Sequence, residues 1–194
     1  MRGTIAQYIR NCDTCSRIKP ARHAIYGLLK PLEIPIRCWT SVSLDLLTGL
    51  PPSNGYDALL VVVDCLSKMA HYIANTTDVS SNGIAKLYFY NIFRFHSLPN
   101  LVVSDWRTQF SSDFTQALCN LPGIQQKMST SFHPKKNTQT ERVNAIVEQC
   151  LRGYCNYQQN NWHELLTMAE FSYNNPISSS TGITPFVAMY GDYP

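Results

Sequence analysis

The chain has 194 residues, 44% hydrophobic, 15% charged and 11% aromatic, enough to bury one sizeable core with at most a short appendage. Nine Gly and eleven Pro with no dominant residue type exclude collagen-like, low-complexity and wholly disordered classes, and the longest clean apolar run, residues 58–63, is too short to cross a bilayer. The net charge of +3 is uneven: seven Lys/Arg meet only Asp13 and Glu33 in residues 1–37, whereas nine meet eleven acids beyond, so a basic arm, suited to a polyanion or simply solvated, precedes a near-neutral core.

Pro20, Pro31 and Pro35 break the pattern at the start, so a short helix over 4–10 and an extended linker are expected up to residue 37, and one domain from 38 to 194. Residues 40–47 read as a strand, 50–57 with Pro-Pro and Asn-Gly as a turn, 58–65 as a buried strand and 68–74 as a third, together an antiparallel meander. Ser80 or Ser81 caps a helix carrying Ile84, Leu87, Tyr88, Asn91, Ile92 and Phe95 at helical spacing and ending near His96. Residues 101–104 form a buried strand, 111–121 a helix stopped by Pro122 and Gly123, and 124–129 a fifth strand before a polar loop over 130–138. The next helix bears an apolar stripe of Val143, Ile146, Val147, Cys150, Leu151 and Tyr154, with Glu141, Asn144, Glu148 and Arg152 on the other face. A helix over 162–174 follows, and Thr184, Pro185 and Gly191 cap, open and close a last one. The order predicts an α/β protein, a five-stranded mixed sheet with helices on both faces. Seven cysteines, an odd number without framework spacing, fit a reducing intracellular compartment, and no export signal is visible.

Three acids stand where packing does not place them: Asp45 in the first strand, Asp105 after the fourth, and Glu141 at the start of the amphipathic helix. Brought to one sheet edge, three carboxylates repel unless divalent cations neutralise them, and oxygen-only ligands suit Mg2+ or Mn2+. Two such ions about 4 Å apart serve in-line displacement at phosphorus, the chemistry of nucleases and transesterases. The alternative is a strand-end acid, a turn former and a residue favoured by the helix dipole.

Longer stretches point further: Gly27-Leu-Leu-Lys-Pro-Leu32, Ser43-Leu-Asp-Leu-Leu-Thr-Gly-Leu-Pro51, Val62-Val-Asp-Cys-Leu-Ser-Lys-Met-Ala-His71, Val103-Ser-Asp105, Gln109-Phe110, Ser131-Phe-His-Pro134, Gln139-Thr-Glu-Arg-Val-Asn144, Asn156-Tyr-Gln-Gln159 and Ser180-Thr-Gly-Ile-Thr-Pro-Phe186. With these the chain closely resembles, nearly end to end, the integrases of long-terminal-repeat retrotransposons of the Ty3/gypsy group. The thirty-five residues between Asp105 and Glu141 match that family's D,D-35-E spacing, with Asp45 at the first acid. The resemblance implies an RNase H-like fold and two magnesium ions held by Asp45, Asp105 and Glu141. It also implies 3′-end processing and strand transfer of element DNA into target DNA, multimeric action on paired DNA ends, and work in the nucleus. Lys135, Lys136, Arg142 and Asn144, around the polar loop and the helix start, are candidate DNA contacts that position rather than specify, or else solvated residues.

Cys12 and Cys15 resemble the second half of the family's His-His-Cys-Cys zinc module, but no His precedes them, and His23 is a poor third ligand. A truncated zinc-module remnant without zinc is therefore expected. Two loop glycines of the family pattern are replaced: Asp105 is followed by Trp106-Arg107, and Asn137-Thr138 precedes Gln139. Impaired activity is expected, as is the loss of a C-terminal DNA- or chromatin-binding region beyond Pro194. The competing expectation is a non-catalytic nucleic-acid-binding or protein-interaction derivative.

Overall fold

The computed structural model describes residues 7, 8, 11, 34–104, 112–120, 131–134 and 138–194. The chain divides into two units, Met1–Glu33 and Ile34–Pro194. Of the first, Gln7, Tyr8 and Asn11 are described, and all three are helical.

In the second unit, β1 (Ser41–Ser53), β2 (Tyr56–Asp64) and β3 (Ala70–Asn75) form the expected antiparallel meander. β4 (Leu101–Ser104) then pairs parallel with β1, and β5 (Ser131–Pro134) parallel with β4, giving the sheet order β3-β2-β1-β4-β5. The helices are α1 (Ser81–Tyr88, continuing through a π-helical turn to His96), α2 (Ser112–Asn120), α3 (Thr138–Tyr154), α4 (Trp162–Asn174) and α5 (Pro185–Tyr190).

β2 explains why the sheet is covered on both faces. Ala58, Leu60 and Val62 enter one core, with Ile84, Tyr88 and Ile92 of α1 and Phe114 of α2; Leu59, Val61 and Val63 enter another, with Val143 and Val147 of α3 and Trp162 and Leu166 of α4. An unbroken apolar run is what a doubly covered strand requires.

Several details differ from expectation, each for a structural reason. β1 runs on through Pro51 and Pro52 because its pairing bulges: from Thr48↔Ala58 to Ser53↔Tyr56, five residues of β1 advance against two of β2, and prolines fit where no ladder hydrogen bond is asked of them. The remaining connection is the pair Asn54 (φ 50°) and Gly55 (φ 84°), the signature of a type I′ hairpin turn. The fifth strand was expected at 124–129, which lies outside the described residues; Ser131–Pro134, expected as loop, is strand because β4 supplies its backbone partners. The π-helical turn of Phe89–Phe93 shifts the helical phase, so His96 is buried where Phe95 was expected, and Phe95 is 60% exposed. On α3 the buried stripe narrows to Val143, Val147 and Leu151, leaving Ile146 and Tyr154 largely exposed, because α4 covers only one side of the helix.

β3 is an edge strand, and α4 closes it with side chains. The Ala70 N–H donates to Asn174 Oδ1 at 2.9 Å, Asn174 Nδ2 donates to the Ala70 carbonyl at 2.8 Å, and the Tyr72 N–H donates to Glu170 Oε2 at 2.8 Å. These contacts occupy backbone groups that another strand would otherwise pair with.

Candidate active site

The alternation along β1 puts Val42, Leu44 and Leu46 into the α1 core and turns Ser43 and Asp45 to the α3 side. Asp45 is half-buried, and both carboxylate oxygens are held: Oδ1 accepts from the Leu46 N–H at 2.9 Å and Oδ2 from Asn144 Nδ2 at 2.6 Å. Asn144 lies one turn beyond Glu141 on α3, so this contact lays the first turn of the helix against Asp45. Glu141 itself is exposed in that turn, where the helix dipole favours an acid. A second contact, between Ser43 Oγ and Thr140 Oγ1, joins the same two elements.

Asp105 lies outside the described residues. The strand leading to it is described: Ser104 of β4 is in parallel register with Leu44 of β1, each being the residue before an expected site acid. Among the described residues no group of three or more His, Cys, Asp or Glu is arranged to hold a metal ion.

The donor set nonetheless fits a divalent cation. Asp45 and Glu141 offer hard carboxylate oxygens, the kind of donor a divalent cation takes. Asn144 adds a sharper sign. Because its Nδ2 must face the Asp45 carboxylate, its Oδ1 faces the other way, and among the described residues that buried oxygen finds no hydrogen-bond donor. A buried acceptor left open beside a carboxylate is suited to a cation or its water.

The other nominated residues fall in different places. Cys12, Cys15, His23, Lys135 and Lys136 lie outside the described residues. Arg142 is exposed and, with Lys68, Val143, Ile146 and Ser178 to Ser180, lines a cavity of about 510 Å³ on the flank of α3 away from Asp45. Asn144, expected on a face turned from the core, bonds Asp45. On the same flank of α3, Glu148 and Arg152 pair at 2.6 Å and, with residues 49–51 of β1 and Trp162, border a groove of about 390 Å³. Ser43 and Thr140 were not nominated; the signal was present, since Ser43 shares a strand face with Asp45 and Thr140 a helix face with Asn144.

A second polar cluster is internal. His71 Nδ1 meets Glu170 Oε1 at 2.8 Å, His71 Nε2 meets His96 Nε2 at 2.9 Å, and Trp39 stacks on His96 at 3.9 Å. Burial, with His71 beside it, pushes the His96 pKa down to about 4. The cluster ties the ends of β3, α1 and α4 together.

Over 190 residues the chain is 35% identical to the Transposon Tf2-3 polyprotein of Schizosaccharomyces pombe, an alignment covering 98% of this chain and 14% of that polyprotein; the Tf2-4 polyprotein of the same organism matches equally. The chain thus spans about one-seventh of the length of these curated relatives. No protein-family model matches it. Among solved structures it resembles the HTLV-2 integrase catalytic core domain in complex with magnesium, in its trimeric form, with a TM-score of 0.59 at 17% identity over 78% of this chain and 97% of that one. It also resembles a chain of the simian T-cell lymphotropic virus intasome in complex with the PP2A regulatory subunit B56 gamma, with a TM-score of 0.65 at 15% identity over 98% of this chain and 67% of that one.

Proposed function

The chain belongs to the Ty3/gypsy-type family of long-terminal-repeat retrotransposon integrases, and from that premise we propose that it is the integrase catalytic core, inserting element DNA into host DNA by metal-dependent polynucleotidyl transfer. The observation that carries this reading is the Asn144–Asp45 hydrogen bond, which holds the turn bearing Glu141 against the strand bearing Asp45. Asp45, Asp105 and Glu141 would hold Mg2+ or Mn2+. When bound, the cations supply Lewis acidity at the phosphodiester and offset the charge of the carboxylates. The chain's own part is placement. The Leu46 N–H and Asn144 keep the Asp45 carboxylate in one orientation, and the α3 N-terminus adds favourable dipole potential at Glu141. Water trims the 3′ ends; each freed 3′-hydroxyl then bonds to a target phosphorus as the target's own 3′-oxygen leaves. Lys135, Lys136 and Arg142 would meet DNA phosphates, copies would associate on paired ends, and the work would be done in the nucleus. The HTLV-2 core's complex with magnesium supports the choice of cation.

The rival reading, a derivative that binds without catalysis, rests on the two replaced glycines. Thr138 removes half of that argument, because it opens α3 at an ordinary helical position where no left-handed backbone is needed. Incubating the purified chain with element-end DNA and Mg2+ or Mn2+ separates the readings. Joined products are expected, weakly if Arg107 distorts the Asp105 loop, and more strongly with Trp106→Arg and Arg107→Gly. DNA binding with no products from either form refutes the proposal, and nicking of an RNA–DNA hybrid alone points to a ribonuclease.

A further inference from the structure

α3 lies along β1 in the same chain direction, and polar contacts join the two at two levels, Ser43 to Thr140 and Asp45 to Asn144. The spacing of the two contacts is matched, since two strand residues span about 6.8 Å and four helical residues about 6 Å, so neither element bends to make both. The second contact belongs to the candidate site. The first is removed from water, with Ser43 1% exposed and Thr140 0% exposed. Packing does not call for two hydroxyls there, because an Ala and a Val would fill the same space without polar atoms to satisfy. Their position is what is distinctive: Ser43 sits two residues before Asp45 on one strand face, and Thr140 is the residue before Glu141.

We infer that the Ser43–Thr140 hydroxyl pair is a positioning clasp that sets the separation of Asp45 and Glu141 and so their joint hold on a divalent cation. The clasp spans the one stretch where a strand acid and a helix acid must be brought into register, and it is directional where apolar packing is not. A helix held only by Val143 and Val147 can slide or rotate by a fraction of an ångström at little cost; the hydrogen bond restricts both motions at the turn that carries Glu141. The inference rests on the proposed function for the cation, but not for the geometry.

The test uses the full chain with Thr140→Val, Ser43→Ala and the conservative Thr140→Ser. Three quantities are read: Mn2+ affinity by titration calorimetry, amide hydrogen exchange along α3, and the thermal midpoint. Thr140→Val and Ser43→Ala are each expected to weaken Mn2+ binding about 10-fold and to speed exchange at residues 142–145, with residues 150–154 and α4 unchanged; Thr140→Ser keeps wild-type values. The inference is overturned if Thr140→Val and Ser43→Ala bind Mn2+ as the wild type does. It is equally overturned if Thr140→Ser loses as much affinity as Thr140→Val, or if exchange rises throughout α3 and α4 rather than at its start. A wild-type chain that binds no Mn2+ refutes the proposed function instead, and the exchange comparison then decides the clasp: acceleration confined to 142–145 supports it, and no acceleration overturns it.

Discussion

Replacing Asn174 by Leu removes an amide that does the work of a neighbouring strand. Asn174 is 1% exposed, and its side chain both accepts from the Ala70 N–H at 2.9 Å and donates to the Ala70 carbonyl at 2.8 Å. Ala70 is itself 0% exposed, so water cannot readily take over either bond. Leu has the same branching and number of side-chain heavy atoms but is bulkier and carries no polar atom, so it leaves both backbone groups buried and unpaired, each costing about 1–3 kcal/mol. The added apolar contact recovers about 1 kcal/mol at a site already packed against β3. The net expectation is a loss of about 1–5 kcal/mol, or roughly 2–20 °C in the thermal midpoint for a chain of this size. Urea denaturation followed by tryptophan fluorescence measures it, with an unchanged m-value as the sign that the folded and unfolded states keep their extent. A loss below about 0.5 kcal/mol would mean that β3 finds other partners for Ala70, and the account of α4 as the closure of that sheet edge would fall.

Three further expectations follow from the site and the turns. Asp45→Asn and Glu141→Gln each leave the fold intact by circular dichroism and lower DNA joining by about 100-fold or more, since a site built on placement tolerates little change; joining within threefold of the parent chain would exclude that residue from the site. Unfolded His96 takes up a proton near pH 6.5, whereas folded His96 stays neutral to about pH 4, so its contribution is fully present above pH 6.5 and is lost as the pH falls toward 4. Between pH 7 and 5 the wild type should therefore lose about 2 kcal/mol more stability than His96→Gln, and equal losses would refute the burial argument. Gly55→Ala forces a side chain into a backbone at φ 84° and should cost about 1–2 kcal/mol by urea midpoint; Asn54→Gly, at φ 50°, should be nearly neutral.

Much of this protein is legible in the order of its residues, for local physical reasons. The alternation Val42-Ser43-Leu44-Asp45-Leu46 assigns Asp45 to the face opposite the first core, because successive strand side chains point to opposite sides. The run at 58–63 announces a strand covered on both faces, and Thr184, Pro185 and Gly191 cap, open and end α5: Thr184 Oγ1 accepts from the Val187 N–H at 3.1 Å, and Gly191 is left-handed at φ 81°. These signals need only neighbours within a few residues. What the tertiary structure decided lies where the partner is distant in sequence. Ser131–Pro134 is polar enough to pass for loop, and it becomes strand because β4 is beside it. Phe95 has the spacing of a core residue, and a π-helical turn rotates it outward in favour of His96. Asn144 has the place of a solvated residue on an amphipathic helix, yet Asp45, ninety-nine residues away, claims its amide. Periodicity reports which side of an element is apolar; it carries no record of which polar side chain meets which across the fold, because hydrogen bonds depend on the separation of two particular atoms and not on a pattern along the chain.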